Sequence, residues 1–481
     1  MSAAAALVVA VALAGCGSTT YFAGRTLPPS GLSNRVLIAV QNPNGFTQGA
    51  LVFVDAYYDI RYAYNNVNKT FSIAGYSGAL PATIQNMPEE ETGAVYSSGD
   101  GHFTFVNYSK ETAGSAQTGL NGTSSSIFTT RNQSYIFAAS QAFHVLTVLD
   151  KTSGGTYALN LPGVYHVSVN AGGSAALAFV QNSNYVYYAQ KLTAAQTIAY
   201  SGGPSSWPKA AQGLDCEPQS APVWCVLQAQ SPNGTPLTFD RPIKAVFSAD
   251  GGTAYVLNCG PECGGTAASV SALPVAPMIF LQGQQSGTLP VTTNTPSTQC
   301  GTVNIATGCI PTPGGASNAL VASSTLYVVG QSLQSDGFFG GYLTVLDTSK
   351  SPVAVSSPVS ISDGAPGGPS RMILADDNTL WIGMTKCNSG ERIAHSLPYG
   401  CLTMFNTTTN SATLLEPFFG DATGIAAITG FHKIYTAEGG QVYIYSTVDG
   451  SSIDNQYVTV TGTATDVAYM DAVTDDNNTL Y

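Results

Sequence analysis

Cys259 and Cys263 stand four residues apart, directly after the alternating stretch AVFSADGGTAYVLN (245–258). Thiols at that spacing can close a disulfide or supply half of a zinc site. The remaining cysteines beyond Cys16 also fall as neighbours: Cys216 with Cys225, Cys300 with Cys309, and Cys387 with Cys401. A zinc site needs a second matched pair or histidines beside the first, and no histidine follows Cys263 nearby. Four local disulfides are the economical pairing in an oxidising compartment, and no metal is expected. Each short closure stabilises by roughly 2–3 kcal/mol.

A second chemistry comes from cations, which are scarce: 16 Lys and Arg in 481 residues. Lys244 follows Pro242 by two residues, and Arg371 follows Pro369 by two. His166 holds the corresponding place before the related stretch VSVNAGGSAALAFV (167–180), and Asp421 and Asp466 begin later copies. Two cations at equivalent places can receive a carboxylate or phosphate if the fold brings them to one mouth. The competing expectation is that such groups contact only channel water and one another.

Catalytic signatures are missing. No Gly-x-Ser-x-Gly, His-Glu-x-x-His, phosphate loop or EF-hand loop occurs, so no catalytic residue or cofactor is assigned. The histidines, His102, His144, His166, His395 and His432, are scattered. Asp376-Asp377-Asn378 resembles a fragment of a calcium loop, but its place between two strands is explained by turn chemistry.

Composition narrows the class. Only 9% of residues are charged, net charge is −12, and no basic run exists. A nucleic-acid reader needs Lys and Arg against phosphates, so that partner is not expected. The segment MSAAAALVVAVALAGC (1–16) is apolar but too short for an ordinary span. Its Leu13-Ala14-Gly15-Cys16 end resembles a bacterial lipobox. That resemblance implies lipidation of Cys16, a signal over 1–16, a linker over 17–32, and a lipid-anchored protein on the periplasmic or surface side of a bacterial envelope.

These residues sit in a repeat. AVYSSGDGHFTFVN (94–107) lines up with 245–258. Weaker copies lie at 126–139, 167–180, 319–330, 372–384, 425–438 and 467–481. Several are followed by a third apolar strand, such as HVLTVLD (144–150) or GYLTVLD (341–347). Each unit reads as an antiparallel meander joined by tight turns. One such sheet cannot bury its faces alone, so repetition at tens of residues means stacked neighbours and a β-propeller.

The units, carried best by Pro242 with 245–258 and by Gly368-Pro369 with RMILADDNTLWIGM (371–384), resemble YVTN-type propeller repeats of bacterial surface proteins, relatives of propeller-type lactonases. The resemblance implies an all-β propeller over 33–481. Seven blades are expected if 94–107 is an accessory hairpin of the first blade; the alternative is eight. C-terminal strands are expected to complete the N-terminal blade. Insertions at about 201–240 and 279–315 are expected between blades, with all four disulfides on the loop-rich top face. The function that follows is a binding scaffold for an envelope protein, glycan or small anion. The alternative is a lactonase-like hydrolase acting at the channel mouth.

Overall fold

Runs such as VLIAV (36–40) are apolar at every position because both of their faces are covered. Val36, Ile38 and Val40 pack to one side, and Leu37 and Ala39 to the other. Burying both faces requires a neighbouring sheet on each side, and radial stacking supplies it.

The computed structural model describes residues 24–57, 70–117, 120–192, 215–217, 223–229, 236–275, 309–335, 337–362, 368–385, 400–415, 420–458 and 460–475. Cys16 and the lipobox, Cys300, Cys387 and His395 lie outside these residues. The described residues form eight antiparallel sheets. Their inner strands, taken around the ring, are Thr463–Tyr469, Pro81–Met87, Ser126–Thr129, Val164–Val169, Pro242–Phe247, Asn318–Ala322, Gly368–Ala375 and Ala422–Ile428. We number the blades one to eight in that order and letter the strands a to d outward. Eight apolar clusters fill the eight junctions between successive blades. Trp381 is fully buried in the junction of blades seven and eight.

Eight blades is the second of the two counts that the sequence left open. The stretch 94–107 is not an accessory hairpin. Residues Thr92–Ser97 and His102–Asn107 are strands b and c of blade two, so its alignment with strands a and b of 242–258 is shifted by one strand.

The ring closes between distant parts of the chain. Strand Thr463–Tyr469 is strand a of blade one and pairs with strand b, Arg35–Gln41. Arg35 is buried beside this seam. It binds Asp471 at 2.7 Å and Glu111 at 2.9 Å, tying the first and last strands to blade two.

Two disulfides are fully described: Cys216–Cys225 and Cys259–Cys263. Cys309 and Cys401 are also disulfide-bonded. Cys259–Cys263 lies in the loop between strands b and c of blade five, on the top face. The Cys216–Cys225 bond does not. Its cysteines face each other in a hairpin, Asp215–Glu217 with Trp224–Gln228, at the outer edge of blade four toward the opposite face. Cys309 likewise starts the outer strand of blade five, Cys309–Pro311. The two long insertions therefore fall inside blades four and five, between the third and fourth strands, and not between blades. The outer strands are too short to show in an alternation pattern.

Among the described residues, no helix is long and apolar enough to cross a membrane. Disulfide-bonded cysteines fit an oxidising, extracytoplasmic setting.

Candidate functional site

Six inner strands carry a one-residue irregularity near their top ends. The unpaired residues are Tyr165, Ile243, Ser370, Ala82, Thr423 and Thr465. Such a bulge bends the strand and re-aims the side chain that follows. Those following residues are His166, Lys244, Arg371, Thr83, Gly424 and Asp466. Four of the five residues singled out from sequence thus share one register position. Asp421 does not: it precedes strand Ala422–Ile428, and the equivalent position in blade eight is Gly424.

Gly424 explains how Arg371 finds a partner. Arg371 of blade seven donates from Nη2 to Asp466 Oδ2 of blade one at 2.6 Å. Blade eight lies between them. A Cβ on Gly424 would stand 2.6 Å from Asp466 Oδ1 and 2.7 Å from its Cα. The missing side chain leaves the space that Asp466 occupies. Asp466 also accepts from the backbone N–H of Ile84 and Val467. Burial pushes its carboxyl up, and Arg371 opposes that shift.

Lys244 is placed differently. Its Nζ donates to Asn318 Oδ1 at 2.7 Å, a neutral acceptor. Among the described residues, no carboxylate pairs with it. Burial, then the charge of Arg371, lowers the Lys244 ammonium to about 8. Burial, then the charge of Lys244, lowers the His166 imidazole to about 3, so it is neutral. Both side chains keep some accessible surface because they face the channel. Water there softens each effect without changing its direction.

His166 and Lys244 line one cavity of about 490 Å³ at the channel mouth, with Tyr165, Asn318, Ser370 and Cys263 in its wall. Arg241 lines it too. Its guanidinium is held by the backbone carbonyls of Asn182 and Gly264. Among the described residues, no carboxylate lines the cavity. The volume lies within the range of small-ligand sites. Cationic and neutral polar groups surround it, a chemistry that can receive an anion. Among the described residues, no group of three or more His, Cys, Asp or Glu could hold a metal.

Sequence reasoning missed Arg241 and Asn318. Arg241 was within reach: it precedes Pro242, three residues before Lys244, in a chain poor in cations. Asn318 carried no signal, because its role is set by a contact across two blades. The Asp376-Asp377-Asn378 turn joins strands a and b of blade seven. Asp376 accepts from the N–H of Gly430 and His432, and Asp377 meets His432 Nδ1 at 2.8 Å. Those carboxylates brace blade eight.

No family model matches the chain, and no curated protein matches it. Solved structures match at the level of fold. Dihydro-heme d1 dehydrogenase NirN, in complex with DHE, gives a TM-score of 0.51 at 10% identity, covering 92% of this chain and 75% of that one. Hydrazine synthase of Kuenenia stuttgartiensis gives 0.46 at 12%, covering 77% and 96%. A candidate 6-phosphogluconolactonase from Bacteroides uniformis gives 0.43 at 12%, covering 91% and 99%.

Proposed function

We propose that this protein is an extracytoplasmic β-propeller that binds a small anionic ligand at the mouth of its channel. The observation that carries the reading is Lys244: among the described residues it has no carboxylate partner, and none of them puts a carboxylate in the wall of its cavity. A charge partly withdrawn from water is costly unless it is paired, though less so than a fully buried one. A carboxylate or phosphate bound here supplies that pair. Arg241 adds a second cation at the rim, while Arg371 is engaged by Asp466. Lipidation at Cys16 would hold the propeller at a bacterial membrane, as the lipobox resemblance implies. The top-face loops would then be free to meet an envelope protein or glycan.

A second reading is a lactonase-like hydrolase in the same cavity. It draws on His166, whose neutral imidazole could accept a proton from an attacking water. The resemblance to YVTN-type repeats points the same way.

A thermal-shift screen of sugar acids, their lactones and neutral glycans tests both. Stabilisation by acids that disappears in Lys244→Met supports the anion site. Turnover of a lactone that disappears in His166→Gln supports the hydrolase. Equal response to acids and neutral sugars contradicts both.

A further inference from the structure

Lys244 has properties beyond those of an anion anchor. An amine becomes a nucleophile when it is desolvated and set beside another cation, because both conditions disfavour the ammonium form. Lys244 meets both. It is enclosed at the channel mouth, and the charge of Arg371 bears on it. Nothing anionic among the described residues restores the ammonium. Its hydrogen-bond partner, Asn318 Oδ1, accepts one proton and leaves the rest of the amine facing the cavity. His166 shares that cavity as a neutral imidazole and does not compete for the anion.

We propose that Lys244 is a covalent site: its Nζ forms an imine with the carbonyl carbon of a small aldehyde or keto acid whose carboxylate is held by Arg241. This rests on the anion-binding reading above. The Nζ lone pair forms the C–N bond while the carbonyl π pair moves to oxygen. A proton passes from nitrogen to that oxygen through channel water, giving a carbinolamine. The nitrogen lone pair then expels hydroxide to form C=N. The hydroxide takes up the second amine proton, so one water leaves for each imine formed. No oxidant or reductant enters.

At neutral pH an amine with this shift offers on the order of a hundredfold more free base than a surface lysine. Selective reaction should follow. The test uses the full chain with glyoxylate as the probe and cyanoborohydride to trap any imine, read by intact mass and peptide mapping. Oxalate, which has no aldehyde, reports anion binding separately by calorimetry. The expected result is one carboxymethyl group on Lys244, added at least about tenfold faster than on any other lysine, consistent with its larger free-amine fraction. In Lys244→Arg, which keeps the cation and loses the nucleophile, oxalate should still bind and the adduct should vanish. Oxalate binding with no preference for Lys244 in labelling overturns the imine and leaves the anion site standing. Neither binding nor selective labelling overturns both.

Discussion

Arg371 and Asp466 belong to blades seven and one, yet their side chains meet at 2.6 Å across blade eight. The gap they bridge exists because blade eight has Gly424 at the shared register position. Gly424→Ala should push Asp466 aside, since the added carbon would meet backbone atoms of Asp466 and Val467 that cannot swing away. Overpacking of this kind costs about 2 kcal/mol. A lowered melting temperature in calorimetry, with an unchanged circular-dichroism spectrum, is the expected outcome.

The charge of Lys244 acts on His166. Its removal in Lys244→Met should raise the His166 pKa above about 3, though burial, the larger cause, remains. NMR titration of the imidazole carbons reads this directly. An unmoved His166 would mean that the two groups do not share the channel mouth.

Glu438 supplies a pH dependence of stability. It is fully buried, receives hydrogen bonds from the Thr436 and Tyr445 hydroxyls, and is pushed by burial from 4.5 to about 7. The folded state therefore holds this proton more tightly than the unfolded chain. Its contribution is fully present below pH 4.5 and is lost as pH rises through 7. The loss is about 3 kcal/mol at most. Glu438→Gln mimics the neutral carboxyl. Urea unfolding at pH 5 and pH 8 should show the variant gaining on the parent at the higher pH.

Arg35 closes the ring with Asp471 and Glu111 at 1% exposure. Arg35→Met leaves two buried carboxylates without their cation, which costs about 3–5 kcal/mol. Denaturant unfolding should report a loss of that size.

Much of the propeller was legible because a blade writes the same pattern several times. The pair 242–247 and 253–258 declared itself through apolar runs on either side of Asp250-Gly251-Gly252. The shared position of His166, Lys244 and Arg371 was legible because proline marks the strand entry in two of the copies. The blade count was less clear. Strand Pro81–Met87 spends Gln85 and Asn86 on bonds to the neighbouring Thr129 and Tyr469 carbonyls, so its apolar pattern is broken. The stronger strands b and c then took its place in the alignment. Pro81, two residues before Thr83, repeated the proline spacing of Pro242 and Pro369 and was the usable signal. Asp421 was misplaced because counting from the strand start ignores the bulge. The Lys244–Asn318 and Arg371–Asp466 contacts were not legible, since each joins side chains on different blades, far apart in sequence, that only the packing of the inner strands brings together.

An anion site at the channel mouth stands or falls with Lys244. Calorimetric titration of the full chain with oxalate, and with its neutral diamide oxamide, tests it most directly. Saturable oxalate binding, no oxamide binding, and at least about tenfold weaker oxalate binding in Lys244→Met, the loss of one charged contact, are the expected results. Oxalate binding that is absent, or equal in parent and variant, would contradict it.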